Sequence, residues 1–313
     1  MIPRTWLCLP LVLLCACGGD TIQPTADAGT IPQAGAYKAC AVDERVGAVT
    51  VALRDGFTTV QGAVTNGVRP VDVPDIVMSE GGCELWRPKS LFCDPGCTGS
   101  TTCNDQGVCV DLPSNQDVGI LSFSGLSESI EVSARPPVYY YNYTGTLPHP
   151  GFGMGDLVSL QASGGSISPF ALAATGVGPL VVTTASVALQ RDLPATLQWS
   201  PLAEDPGVRL ALELNIANHG GTPGRVVCEL QDTASFEIPA ALVTALLDGG
   251  FSGFPTVSLT RQGVDSVDSD LGCVELHLLS EVVLPVSIPG LVSCSDSTDC
   301  PSGQTCQPDL TCG

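Results

Sequence analysis

The chain has 313 residues, and 32 acidic against 12 basic side chains give it a formal net charge of −20. Lysine occurs only at Lys38 and Lys89. Such an acidic surface repels phosphate backbones, so nucleic acid is excluded as a partner. A hydrophobic content of 44% is enough for a core, while 35 glycines and 25 prolines favour many short strands joined by tight turns.

The N-terminal segment has the pattern of a secretory signal. Arg4 supplies a short positive region, and an apolar run from Leu7 to Leu14 follows it. That run is too short to span a bilayer, which needs about 20 apolar residues. Residues 1–16 are therefore predicted to be a cleaved leader and are left out of the fold prediction.

The end of this leader, Leu14-Cys15-Ala16-Cys17, resembles the lipobox of bacterial lipoproteins. The resemblance implies cleavage before Cys17 and lipid modification of that cysteine. The alternative is an ordinary cleaved signal, which would leave a soluble secreted protein. Two or more acyl chains hold a protein stably on a bilayer, at roughly 0.8 kcal/mol per buried CH₂.

Residues 17–36 are rich in Gly, Ala, Thr and Pro and lack periodicity, which predicts a flexible tether behind the lipid. Because the chain is acidic, the lipid rather than surface charge must hold it to a membrane. We expect an exported, lipid-anchored protein at the outer membrane or the cell surface, with the periplasmic face as the alternative.

The cysteine count supports export. Of the fifteen cysteines, Cys8 and Cys15 fall in the leader and Cys17 carries the lipid, so twelve remain. An even number in an exported chain predicts disulfides. The twelve are Cys40, Cys83, Cys93, Cys97, Cys103, Cys109, Cys228, Cys273, Cys294, Cys300, Cys306 and Cys312. Cys40 and Cys83 flank a small β unit and are predicted to bridge it.

Two short segments of the chain form an internal repeat. In LFCDPGCTGSTTCNDQGVCV and the C-terminal SCSDSTDCPSGQTCQPDLTCG, the last three cysteines have identical spacing. Both resemble the four-cysteine repeats of exported proteins of myxobacteria, often labelled Dickkopf-like or EGF-like, and this implies extracellular adhesion or spacing. Four cysteines permit three connectivities, and in the second copy we favour Cys294 with Cys306 and Cys300 with Cys312. Zinc is the alternative, but C-x-x-C pairs and neighbouring histidines are missing.

The remaining chain alternates apolar and polar residues in short runs, so the predicted fold class is all-β, with β-sandwich (Ig-like) domains and two small disulfide-rich modules. A run within residues 195–247, ATLQWSP…CELQDTASFEIPAALVTALL, resembles Ig-like or fibronectin-III-like domains of exported bacterial proteins. One short helix is predicted between Pro239 and Gly249. The predicted domains are a small β unit at 37–90, a Cys-rich module at 91–112, a β-rich domain at 113–178, an Ig-like sandwich at 179–290 and a second Cys-rich module at 291–313.

Candidate catalytic residues are few. Only His149, His219 and His277 could act as imidazole bases, and no nucleophile motif accompanies them. His277 is expected at the surface or on an edge strand, and His219 in a hairpin turn. The glycines of 151–155 are predicted to form a loop, because no helix pattern follows them. We assign no catalytic residue, no cofactor and no metal.

Two acidic runs are candidate calcium sites. They are Asp265, Asp268 and Asp270 in one run and Asp296 and Asp299 in the other. Calcium needs six to eight oxygens in a shaped loop. Neither run has that form, so both are interpreted as solvated acidic loops, with calcium as the alternative.

The most suggestive cluster is Tyr139-Tyr140-Tyr141-Asn142-Tyr143, which contains four of the five tyrosines. In a strand, Tyr139, Tyr141 and Tyr143 share one face. A row of such rings can stack on sugars or dock a protein, and the alternative is that the rings pack over the sandwich. We therefore expect a non-catalytic binding or adhesion role with a glycan or protein partner. The rival is an exported polysaccharide-acting enzyme or its accessory module, which needs two opposed carboxylates.

Overall fold

The computed structural model describes residues 35–142, 147–217 and 224–313, and the protein is all-β in these ranges, as predicted. In chain order the strands are β1 (Arg45–Arg54), β2 (Phe57–Val64), β3 (Asp75–Glu80), β4 (Cys83–Arg87), β5 (Thr101–Cys103), β6 (Cys109–Asp111), β7 (Leu121–Ser124), β8 (Ile130–Val132), β9 (Tyr140–Tyr141), β10 (Leu157–Ala162), β11 (Phe170–Thr175), β12 (Val187–Ala188), β13 (Ala195–Gln198), β14 (Val208–Asn215), β15 (Arg225–Leu230), β16 (Ser235–Ile238), β17 (Thr256–Ser269) and β18 (Gly272–Ser287). One α-helix, α1 (Ala240–Asp248), and two short 3-10 turns, Pro70–Asp72 and Ser297–Asp299, complete the described ranges.

A ten-stranded sheet dominates the structure. Its order is β3-β4-β15-β14-β17-β18-β1-β2-β9, and β12 pairs with the end of β18. The β17–β18 hairpin forms the centre, with 14- and 16-residue strands. β1 and β12 run parallel to β18, while the other pairs are antiparallel. A separate four-stranded sheet has the order β11-β10-β7-β8.

One face of the ten-stranded sheet carries two hydrophobic cores side by side. Alternate residues of a strand share a face, and Val274, Leu276 and Leu278 of β18 are fully buried in the first core, between β1, β2 and the four-stranded sheet. Farther along the same face of β18, Leu284 and Val286 belong to the second core, which includes α1 and the β13–β16 pair. The long hairpin is therefore shared by both cores.

The opposite face of the sheet, here called the polar face, carries Gln61, Arg209, Gln262, Glu275 and His277. The N-terminal segment 35–44 crosses it. In this segment the Tyr37 backbone N–H donates to the Pro206 carbonyl at 3.0 Å, and the Lys38 N–H donates to the Val264 carbonyl at 3.0 Å. The Cys40–Cys273 disulfide then fixes the segment to β18.

The disulfide prediction for Cys40 and Cys83 was wrong. Cys40 bonds to Cys273 and Cys83 bonds to Cys228, at sequence separations of 233 and 145. The reason is the sheet order: β4 pairs with β15, which places Cys83 directly opposite Cys228. Both bridges therefore join distant segments instead of closing a local unit.

The two cysteine-rich modules have the same connectivity. Cys294 bonds to Cys306 and Cys300 to Cys312, which confirms the favoured pairing. In the first copy Cys93 bonds to Cys103 and Cys97 to Cys109, so the first cysteine again pairs with the third and the second with the fourth. The two copies of the sequence repeat therefore have the same disulfide pattern.

The structure differs from the predicted domain division in one respect. Strands from 37–90 and from 179–290 join the same ten-stranded sheet, and so does β9 from 113–178, so the boundaries proposed at these positions do not separate sheets. The predicted helix is present, with Pro239 as the N-cap of α1 and Gly249 as its C-cap. Short strands form along most of the chain as predicted, but the apolar run at 179–182 forms only an isolated bridge, between Val182 and Trp199. The Asp55-Gly56 turn also forms, and Gly56 takes the left-handed conformation at φ +79° that glycine favours.

Candidate functional site

The tyrosine cluster lies at the β9 edge of the large sheet. Tyr140 points inward and is 1% exposed; its hydroxyl accepts from the Val118 N–H at 2.8 Å and donates to Asp117 at 3.0 Å. Burial, together with the nearby Asp117 carboxylate, raises the pKa of Tyr140 to about 12, so its hydroxyl stays protonated. Tyr140 therefore anchors the cluster and is itself inaccessible.

Tyr139 and Tyr141 are half-buried and line surface cavities, as expected for residues that alternate with Tyr140. A cavity of about 350 Å³ contains both rings together with Thr50 and Gln61 of the adjoining strands. Tyr141 also lines a second cavity of about 310 Å³ with Glu131, Arg135 and Asn142. Tyr143, the third predicted member, lies outside the described residues.

Glu275 and His277 form a polar cluster on the polar face, at the wall of a cavity of about 690 Å³. The Glu275 side chain is 1% exposed; it accepts from the Cys40 N–H at 2.6 Å, lies 2.7 Å from His277 Nε2 and lies 3.4 Å from Arg45. Burial by itself raises the pKa of Glu275, but these hydrogen bonds and positive charges outweigh it and hold the pKa below its ordinary value. His277 is not on an edge strand, because β18 is a central strand of the sheet, but its side chain is 17% exposed in the wall of this surface cavity.

A second cavity of about 690 Å³ lies beside the place where the two cores meet, with Arg261 and Asp232 in its wall. The Arg261 side chain is 1% exposed and faces Asp232 Oδ2 through Nε at 3.0 Å and Nη2 at 2.9 Å. Its other donors bind the backbone carbonyls of Gly178, Pro179 and Ser200. Every guanidinium donor is therefore used within the protein, and the pair acts as structural support for this cavity.

Sequence reasoning missed both buried charge clusters. A signal for Arg261 was present, because it follows Val257 and Leu259 at an inward position of an alternating strand. Glu275 gave no such signal. It lies on the polar face, and it is buried only because the N-terminal segment crosses above it.

Most of the candidate calcium-binding aspartates accept hydrogen bonds from other groups of the protein. Asp265 accepts from the Ala173 N–H at 2.8 Å, and Asp270 accepts from the backbone and hydroxyl of Ser168, which lowers the pKa of Asp270. Asp268 is exposed. Asp296 and Asp299 form a capping box on the second 3-10 turn. These bonds tie loops to neighbouring backbone, which is a structural role.

All twelve of the predicted cysteines are in disulfides, so the zinc alternative has no thiolate ligand in either module. His149 is exposed, with Nδ1 at 3.2 Å from the Thr58 hydroxyl. The glycines of 151–155 form a loop, as predicted. Cys17 and His219 lie outside the described residues.

Comparison with known proteins found no matching family model and no matching curated protein. Among the described residues, no helix has the length and apolar character needed to cross a membrane.

Proposed function

We propose that the protein is an exported binding protein of the bacterial cell envelope, anchored by lipid on Cys17 and non-catalytic in its role. The lipobox-like end of the leader supports the anchor. A structure crosslinked by six disulfides supports function in an oxidising exterior. The proposed location is the outer membrane or the cell surface, and the cysteine-rich modules serve as rigid spacers.

The observation that carries the binding role is the pair Tyr139 and Tyr141 beside Thr50 and Gln61. Aromatic rings present an apolar surface with a polar tip. Neighbouring hydroxyl and amide groups add donors and acceptors, and sugars require this combination. We therefore propose a glycan as the partner, with a protein partner as an outcome of the test.

The polysaccharide-acting enzyme remains the rival function. It needs two carboxylates on opposite sides of the scissile bond, roughly 5–10 Å apart. In the described part of the chain, Glu131 is the one carboxylate that lines either tyrosine cavity. The surroundings of the tyrosines therefore favour binding over hydrolysis as the proposal.

A glycan array with the purified exported protein tests the binding role. We expect the wild-type protein to retain a defined set of glycans and Tyr141→Ala to lose at least about tenfold in affinity. Phe92→Ala, which removes an 80% exposed ring in the first cysteine-rich module, is the matched control. An array without any bound glycan, or equal losses in both variants, would refute the glycan proposal.

The anchor is tested separately by membrane fractionation and mass spectrometry of the N-terminal peptide. We expect acyl chains on Cys17 and release of the Cys17→Ala chain from the membrane fraction. A Cys17→Ala chain that stays membrane-bound would contradict the lipid anchor, whatever the glycan result.

A further inference from the structure

Three arginines line one cavity of this strongly acidic protein. The cavity has a volume of about 460 Å³ and lies beside the ends of β4 and β15, with Arg45, Arg87 and Arg225 in its wall. The whole chain has 12 basic residues against 32 acidic ones, so this grouping opposes the overall charge. Asp72 is the single carboxylate in the lining.

The arginines retain donors for a ligand. Arg225 is 43% exposed, and its nearest carboxylate, on Glu213, is 3.6 Å away. Arg45 is 42% exposed and reaches Glu275 at 3.4 Å. Among residues 35–142, 147–217 and 224–313, each of these single, long contacts leaves most of the five guanidinium N–H groups unused. Arg87 forms no ion pair or side-chain hydrogen bond with any residue in the described ranges. It follows Leu85 on the core side of β4 and its guanidinium lies near Gly249 at the end of α1, so Arg45 and Arg225 are the arginines on the same face as Trp86.

Two further groups line the cavity beside these arginines. Trp86 lines it, with the Arg225 guanidinium 5.2 Å from the ring centroid, which holds the guanidinium in a fixed position. Asn215 uses its side-chain oxygen to accept from the Ala217 N–H, and its amide donors bind no residue of the described ranges. Planar guanidinium groups match carboxylates in a two-bond geometry that lysine does not reproduce.

We infer that this cavity binds the carboxylate groups of an acidic, uronate-type glycan. The site is distinct from the tyrosine cavities, and its assignment rests on the arginine grouping and not on the proposed role of Tyr141. Cavities of a few hundred Å³ lined by an aromatic residue and a few convergent polar groups are typical of small-ligand sites. Binding is expected to weaken with added salt, because exposed charges are screened.

The experiment is titration calorimetry of the full exported protein with oligogalacturonate, and with the methyl-esterified oligomer as the uncharged control. We expect binding of the acidic oligomer and at least about tenfold weaker binding of the ester, a factor that corresponds to about 1.4 kcal/mol. Equal affinity for both would overturn the inference, and so would no binding of the acidic oligomer. Stronger binding of poly-glutamate or of dextran sulfate would overturn the assignment to uronates.

Variants locate the site. Arg225→Ala should lose about tenfold in affinity, and Arg225→Lys should recover only part of it because the forked geometry is gone. Arg191→Ala is the matched control, since it removes one exposed positive charge outside the cavity. A thermal unfolding midpoint equal to that of the wild type shows that each variant is folded. Equal losses in Arg191→Ala and Arg225→Ala would overturn the site, whereas normal oligogalacturonate binding by Tyr141→Ala separates this inference from the tyrosine proposal.

Discussion

Among single residues, Arg261 binds the chain segments that pass between the two cores. It lies on the same face of the sheet as both cores, at the point between them, with Gly263 on one side along the strand and Leu259 on the other. Burying a guanidinium in such a place is costly unless its charge is paired and its donors are all satisfied. Asp232 supplies the charge and the chain at 178–200 supplies the carbonyls, so one residue fixes the connection that passes between the cores.

This arrangement predicts that Asp232→Ala lowers the free energy of unfolding by about 3–5 kcal/mol, because it leaves a buried, unpaired guanidinium. It also removes the acceptor for the Trp199 indole N–H, now bonded at 2.7 Å. Urea unfolding followed by tryptophan fluorescence measures the change. Asp248→Ala is the control, since it breaks the exposed pair with Arg191, and should cost no more than about 1 kcal/mol. Losses of the same size in both variants would mean that the buried pair has no special role.

Among the elements, the N-terminal segment 35–44 is unusual because it is not a strand, yet backbone hydrogen bonds, side chains and a disulfide all bind it to the large sheet. The Cys40 N–H of this segment donates a hydrogen bond to the Glu275 carboxylate. The Tyr37 hydroxyl accepts one from the Gln262 side chain at 2.9 Å. Burial and the carboxylates of Glu229 and Glu275 raise the pKa of Tyr37 to about 12, so this hydroxyl stays neutral. The segment is held at the centre of the large sheet, directly after the predicted tether.

The lowered pKa of Glu275 predicts a pH-dependent contribution of this contact. A carboxyl whose pKa is lower in the folded state stabilises the protein above its ordinary pKa, about 4.5, and loses that contribution as the pH falls through the folded value. Glu275→Gln should therefore cost about 1.5–3 kcal/mol near neutral pH. The difference from wild type should shrink as the pH falls below about 4.5.

Urea unfolding midpoints at a series of pH values check this prediction. Glu237→Gln, which removes an exposed carboxylate on β16, is the matched control and should follow the wild-type pH curve. A difference between Glu275→Gln and wild type that stays constant from neutral to acid pH would contradict the assigned role of the charge.

Across the whole chain, the sequence predicts contacts between residues that are close in sequence better than contacts between distant segments. The strands and α1 follow from alternation and capping residues, and the pairing of Cys294 with Cys306 lies within a 12-residue separation. The partners of Cys40 and Cys83 could not be read in this way, because β1 pairs with β18 and β4 with β15 across most of the chain. Likewise, alternation placed Tyr139 and Tyr141 on one face, but the cavities around them need residues from other strands.

The shared sheet predicts that residues 179–290 do not fold by themselves, although their sequence pattern predicts a domain. Without β1, β2 and the four-stranded sheet, the buried side chains Val274, Leu276 and Leu278 would face water, and exposing a side chain of this type costs about 1.5–3 kcal/mol. Without β4, β15 becomes an edge and Cys228 loses its disulfide partner. We expect the excised fragment to give a flat near-UV circular dichroism spectrum at Trp199 and poorly dispersed amide resonances, whereas the 35–313 chain gives a structured spectrum in both measurements. A cooperative unfolding transition in the fragment, with a native-like Trp199 signal, would show that the second core is stable without the strands that the N-terminal part adds to its sheet.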